Sequence, residues 1–344
     1  MLKKSKKWML AAGLAALMPF NALAADYTWR FALEEIQGSV QDAYAQEFKR
    51  RVEERSQGRV EVQVYPYGAL GTSAQLTELV QNQAIQFAFA SPGHLGAVIP
   101  EVQVFSLHFI FSDNNAVNKS VLANSQAINQ LLAQAYAEKN LELLSIVPEG
   151  WMVWTGDRAL NTPEAFKDFK IRTMTSPLLV EAYRAYGANP TPMPYSEVYS
   201  GLQLKQIDGQ VNPIFAIEEM SFYEVQSHMT FARQAQFVTS LVANKTFFDG
   251  LPEDLQKIVK QVRTELVDHI YDVQHDFNQS RLQKIKENSD IKMVELTEAE
   301  REAFRKASLD VRQTYVEQAG QRGQEVLNTL LAEIKAAETK AAAR

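Results

Sequence analysis

The 344-residue chain has no cysteine, so it carries no disulfide framework, no thiol nucleophile and no lipidated cysteine. Its formal net charge of −6 is mild. Past the first few residues no Lys/Arg cluster occurs, which argues against nucleic acid and anionic membrane surfaces as partners. Glycines 68, 71, 93 and 96 form neither GxGxxG nor a P-loop, and no GxSxG elbow is present. The histidines His94, His108, His228, His269 and His275 lie in no metal-ligand spacing. Neither cofactor nor metal is expected.

Long apolar runs are also scarce, with one exception at the start. Lys3, Lys4, Lys6 and Lys7 precede the apolar stretch Trp8–Phe20, and Ala22-Leu23-Ala24 follows as a small-x-small site. This pattern predicts a secretory signal peptide over 1–24, cut after Ala24 and too short to span a membrane. Export to a Gram-negative periplasm is the expectation, with the mature chain free of membrane insertion.

Roughly 320 residues beyond Ala24 exceed what one core readily serves, so two domains are expected. Apolar patterning predicts a strand over Tyr27–Leu33, a helix over Val40–Ser56, and a strand carrying Val60, Val62 and Val64 on one face. A helix over 74–84, a strand over 85–90, a helix over 115–139 and a strand over 141–147 follow. Repeats of this kind imply a mixed, mainly parallel sheet covered on both faces. Near Glu149-Gly150 the pattern restarts: a helix over Ser196–Leu204, a strand over Ile207–Val211, and a long strand over His228–Val242 returning to the first unit. Residues 252–288 hold apolar positions at three-to-four spacing without Gly or Pro, predicting a helix of roughly 50 Å that crosses both units. A coiled coil is the alternative, but the spacing keeps no strict heptad. The expected fold is α/β and two-lobed: 25–149 plus 238–278 in the first lobe, 150–237 plus 279–340 in the second, with hinge strands and the long helix joining them.

Within "KIRTMTSPLLVEAYRAYG" (170–187), Ser176 reads as an N-cap, Pro177 as the first helical residue and Gly187 as the stop. Arg172 therefore lies at the end of a strand feeding a helix, where open α/β folds bind small ligands. An arginine there either grips an anion or pairs with a nearby carboxylate, and the stretch itself leaves both open. Asn212, before a proline at a strand end, offers a free amide, and Trp151, Tyr195 and Phe215 supply apolar walls or core packing. Glu34 and Glu35 are neighbours on a strand, so alternation predicts that only one faces a cleft. An acid–base enzyme working through that pair lacks a second element to complete it.

Three blocks carry a resemblance: "SQGRVEVQVYPYGALGTSAQL", "FASPGHLGAVIPEVQVFSLHFIF" and "KIRTMTSPLLVEAYRAYGANPTPMPYSEVYSGLQLKQIDGQVNPIFAIEEMSFYEVQ". Over nearly its whole length beyond the first residues the chain resembles the DctP-type periplasmic solute-binding proteins of TRAP transporters. The resemblance implies that Arg172 clamps a ligand carboxylate with Asn212 as companion. It also implies that Tyr195 is a cleft aromatic, that Ser91 and His94 lie on a cleft loop, and that Glu34 or Glu35 meets the ligand's other side. Val211-Asn212-Pro213 departs from the family's Glu-Asn-Pro but keeps the asparagine. Met152 falls where sialic-acid-binding members carry a second arginine, which counts against that ligand.

Within the family the chain is most similar to the ectoine-binding branch, in "EE..GSVQD.YAQ.FK" and "KIRTMT.PLL". Tyr195 takes the place of a tryptophan there, and Ala216 and His94 stand where large aromatics are expected. A lost aromatic removes about 0.5–2 kcal/mol of cation–π attraction. The resulting expectation is a non-enzymatic, monomeric receptor that captures a small organic carboxylate, such as a hydroxy or sugar acid, and delivers it to a TRAP membrane permease. Ectoine, hydroxyectoine or a small sulfonate is the alternative ligand. A secreted enzyme acting on small carboxylates, with Glu34 or Glu35 as base, is the alternative from another class.

Overall fold

The computed structural model describes residues 25–343, so the signal-peptide reading of 1–24 lies outside the described residues. The first lobe begins with β1 (Tyr27–Ala32), α1 (Val40–Arg55), β2 (Val60–Tyr65), α2 (Ser73–Gln81), β3 (Phe87–Ala90) and α3 (Pro92–Leu95). Ser39 caps α1 by accepting from the Asp42 N–H at 3.2 Å, and Gln57 and Gly58, both at positive φ, end it. A 3₁₀ segment (Pro100–Ser106) leads to α4 (Asn115–Asn124), a π-helical turn (Ala127–Leu132) and α5 (Ala133–Ala137). The single helix expected over 115–139 is thus broken. Ser125 ends the first piece, its hydroxyl restarts the next by accepting from Ile128 N–H, and Glu333 accepts from both Ser125 and the Gln126 N–H.

Next comes β4 (Leu141–Gly156), sixteen residues long and shared by both lobes. The second lobe adds β5 (Arg172–Thr173), α6 (Pro177–Arg184), β6 (Thr191–Pro192), α7 (Val198–Gln203), β7 (Gly209–Pro213), α8 (Ile214–Glu219) and β8 (His228–Phe231). The return runs through β9 (Gln236–Asn244), α9 (Lys245–Asp249), α10 (Glu253–Asn288), β10 (Lys292–Glu295), α11 (Glu298–Ser308) and α12 (Val311–Ala342). The long strand expected over His228–Val242 is two strands, because Arg233 takes a left-handed conformation between them.

One lobe's strands run β2-β1-β3-β9-β4, and at its far end β4 pairs with β7 on one edge and β8 on the other. The β1–β2, β1–β3, β5–β6 and β8–β10 ladders are parallel, and every antiparallel ladder includes β4 or β9. These two are the strands that cross between lobes, so the antiparallel pairing marks the hinge. Helix α10 buries Leu255, Val259, Val262, Leu266 and Ile270 against the first lobe and Ile285 in the second. Each such side chain contributes roughly 1.5–3 kcal/mol, which holds the helix across both lobes as its spacing predicted.

The C-terminal boundary differs from expectation. Phe304 of α11 joins the second lobe's aromatic core, but α12 turns back. Its Val311, Tyr315, Val326, Leu330 and Ile334 pack chiefly with the 3₁₀ segment and α4 of the first lobe. The apolar face of residues 311–342 finds most of its partners there, and touches the second lobe at Leu178 and Ala182 of α6.

Candidate ligand-binding cleft

The carboxyl ends of β1 and β3 and of β5 and β7 converge between the lobes, and two cavities of about 40 Å³ each lie at this junction. Arg172, Met174, Asn212 and Phe237 line both, so they form the partition of one cleft. The lobes touch around it. Ser176 Oγ donates to Gln103 Oε1 at 2.8 Å, Tyr67 meets Tyr195 edge-on at 5.8 Å, and Met174 lies so close to Gly93 that a Cβ there would clash. This is a closed arrangement.

Arg172 is held by its local sequence. Ser176 caps α6 by accepting from Leu179 N–H, Pro177 opens the helix, and Gly187 at φ +85° ends it, leaving the guanidinium at the strand end. Its Nε and Nη2 donate to the Met193 carbonyl at 3.0 and 2.8 Å, and its guanidinium lies 6.0 Å from the Tyr195 ring. It is only 2% exposed, yet no carboxylate among the described residues pairs with it. Burial lowers it to about 10. The alternative of an arginine neutralised by a neighbouring acid is therefore excluded. Asn212 is oriented by Gln210, whose Oε1 accepts from its amide at 2.5 Å while Gln210 itself donates to Thr155.

The first lobe supplies acids. Glu34 Oε2 accepts from Ser91 N–H at 2.9 Å, and its Oε1 is buried without a partner. Burial raises Glu34 to about 8, with Ser91 opposing and the charge of Glu35 adding to the rise. Both Glu34 and Glu35 line the cleft, contrary to the alternation argument. The reason is local: β1 ends at Ala32, so neither residue is on the strand. Glu35 is pushed well above the usual carboxylate range by burial and then by Glu149. Glu149 lies in β4 at the irregularity between Pro148 and Gly150 and accepts from Gln41 and Thr239. Burial raises it as well. The acid pair that the structure assembles is thus Glu35–Glu149, from different elements, with Gln41 touching both.

Ser91, His94, Tyr195 and Ala216 line the same cavity. Burial and the nearby Arg172 push His94 down to about 4. Met152 lines the other half. Two expected walls are elsewhere. Phe215 is fully buried in the first lobe's core, and Trp151 lines a separate cavity behind the hinge, its indole donating to Asn115 at 3.3 Å. Sequence reasoning missed Phe237, Met174, Tyr67 and Glu149. Nothing local distinguishes Phe237 or Glu149 from core strand residues, whereas Tyr67, in the Pro66-Tyr67-Gly68 turn, could have been flagged as an exposed aromatic on a loop.

Two lobes hinged on shared strands close on a small cleft that holds a buried guanidinium on one wall and carboxyl groups on the other. The DctP pattern, described as bacterial extracellular solute-binding protein, family 7, matches residues 31–319.

The chain belongs to the DctP family.

Members of this family are binding proteins of TRAP transporters, which take up small ligands and work with TRAP membrane subunits; they are not enzymes. The chain is 40% identical over 339 residues to the ectoine-binding periplasmic protein TeaA of Halomonas elongata, covering 98% of this chain and 99% of that one. It is 38% identical over 327 residues to the ectoine/5-hydroxyectoine-binding periplasmic protein UehA of Ruegeria pomeroyi, covering 95% of each. Among solved structures, a TRAP periplasmic solute-binding protein from Marinobacter aquaeolei, in an apo open form, is 47% identical with a TM-score of 0.84, covering 88% of this chain and 99% of that one. The DctP assignment thus agrees with the fold, the hinge and the cleft. Among the described residues no helix is long and apolar enough to cross a membrane.

Proposed function

We propose that this protein is a periplasmic receptor for ectoine or a closely related cyclic amidinium carboxylate, which it delivers as a monomer to TRAP membrane subunits. The observation that carries this reading is a pair of unmatched groups on one cleft: the unpaired Arg172 guanidinium and the orphaned Oε1 of Glu34. A zwitterion satisfies both. Its carboxylate accepts from Arg172, with Asn212 beside it, and its amidinium donates to the Glu34 carboxylate. Tyr195 and Phe237 add aromatic walls to the same cavity, suited to a flat cation. The similarity to two ectoine-binding relatives over almost the whole chain supports the same ligand class.

A small hydroxy or sugar acid is the second reading, and one observation favours it. A Glu34 with a value near 8 holds its proton at neutral pH and donates to a hydroxyl. His94 and Ala216, small or polar where ring faces are wanted, also suit a polar ligand.

Calorimetry of the purified protein against ectoine, hydroxyectoine, a sugar acid such as galactonate, and succinate separates the two. Ectoines binding at least tenfold more tightly than the acids is the expected result. Binding of the acids with no heat from either ectoine overturns it.

A further inference from the structure

Strand β7 sets two polar side chains beside β4. Its register pairs Asn212 with Val153 and Gln210 with Thr155, and residues two apart on a strand share a face. Gly209 permits the close approach, since a Cβ there would clash with the Thr155 carbonyl. Gln210, Thr155 and Asn212 are buried, and a further amide, Gln226, stands half-buried just before β8. These four side chains form one chain of hydrogen bonds. Asn212 Nδ2 donates to Gln210 Oε1 at 2.5 Å, Gln210 Nε2 donates to Thr155 Oγ1 at 3.0 Å, and Thr155 Oγ1 donates to Gln226 Oε1 at 2.9 Å.

The direction of the chain is fixed at its outer end. Gln226 Nε2 donates to the carbonyls of Val225 and Asp208, at 3.0 and 3.4 Å, and a carbonyl can only accept. Gln226 therefore turns its oxygen to Thr155 and engages the one hydroxyl proton. Thr155 is left to accept from Gln210, which turns its own oxygen to Asn212. Reversing any one of them sets two oxygens or two donors face to face in the interior. The anchor is shared with the arginine wall. Asp208 Oδ2 accepts from Lys170 N–H at 2.8 Å, and the Asp208 N–H donates to the Lys170 carbonyl, two residues before Arg172.

Asn212 lines both halves of the cleft, and among the described residues its Oδ1 takes no hydrogen bond. We propose that Thr155 and Gln226 are positioning residues for ligand recognition: acting through Gln210, they hold one Asn212 N–H on the protein and present its other N–H and its Oδ1 to the ligand. The side chain then meets the ligand as one donor and one acceptor, where an untethered amide could turn over and offer two donors. This rests on the cleft being the ligand site, whichever ligand occupies it.

Calorimetry with ectoine and with galactonate tests the proposal on Thr155→Val, which keeps the shape and removes the hydroxyl. The ligand that binds the wild type should bind this variant about three- to tenfold more weakly, and Thr155→Ser should restore affinity to within about twofold. In an Asn212→Ala background Thr155→Val should add nothing, because its effect runs through the amide. A loss of the same size in both backgrounds, or none in either, overturns the proposal. Gln226→Leu cuts the chain at its outer end and covers the case in which Thr155→Val fails to fold. It should weaken the same ligand at least about twofold, and full affinity there overturns the proposal too. The side-chain amide resonances of Asn212 in isotope-labelled protein give a readout without ligand: they should move in Thr155→Val and hold in Thr155→Ser. If neither ligand binds, the cleft reading fails; unmoved Asn212 resonances in Thr155→Val overturn this proposal separately.

Discussion

The first lobe meets the cleft with acids, and the second meets it with a cation. Glu34 and Glu35 are held from behind by backbone N–H groups and Gln41, while Arg172 leans on a single carbonyl, that of Met193. Neither wall neutralises the other in the closed form, although the lobes touch at Tyr67–Tyr195 and Gln103–Ser176. The difference shows how closure is tied to ligand. Bringing a buried cation and buried acids together without a guest leaves both poorly solvated, so a ligand that satisfies each favours the closed state differentially. Closure then reports occupancy.

Removing the cation wall gives the largest effect. Arg172→Ala strands the ligand carboxylate and should cost about 2–5 kcal/mol, at least a thirtyfold loss of affinity by calorimetry. Unchanged affinity breaks the contrast between the walls. Removing the acid wall separates the two ligand readings: Glu34→Gln should weaken ectoine by about 1.5–3 kcal/mol, the value of a charged hydrogen bond, but leave a hydroxy acid nearly untouched.

Protonation sharpens the same contrast. A cationic ligand needs Glu34 ionised, and its native value near 8 means the carboxyl is protonated at pH 7. Ectoine binding should therefore release a proton, seen as a buffer-dependent enthalpy, and tighten as pH rises toward 8. Stability of the empty protein moves the other way. An acid raised from 4.5 to about 8 binds its proton more tightly when folded, so its contribution is greatest below pH 4.5 and is lost as pH climbs to 8. The decline is at most about 1.4 kcal/mol per pH unit for one group. Glu219, raised to about 8 by burial, adds to it, so Glu34→Gln should flatten the slope of thermal midpoint against pH without abolishing it. His94 acts oppositely: its value of about 4 means stability falls as pH drops from 6.5 toward 4.

The smallest effect concerns the ring face. Tyr195→Leu should weaken a cationic ligand by about 0.5–2 kcal/mol and a sugar acid by less, read by the same titrations. Equal losses for both ligands would show that Tyr195 acts through Arg172, to which it is also close.

Local patterns in the chain were enough for most elements. The three-to-four spacing of residues 252–288 became one helix over Glu253–Asn288, and Ser176, Pro177 and Gly187 bounded the helix after Arg172 as caps and breakers do. These depend on neighbours within a few residues, which a sequence displays. The family blocks pointed to Arg172, Asn212, Ser91, His94 and Tyr195, and these five line one cavity.

Long-range packing decided the rest. Whether Arg172 had an acid partner depended on strands distant in sequence. The same packing turned Phe215 into the core and Trp151 behind the hinge, and brought Glu149 from β4 to Glu35. Helix α12 found most of its partners across the molecule, in the first lobe, for the same reason. Caps and periodicity are set by adjacent backbone geometry, whereas the neighbours of a buried charge are set by how β4 and β9 thread both lobes, and that pairing leaves no local mark.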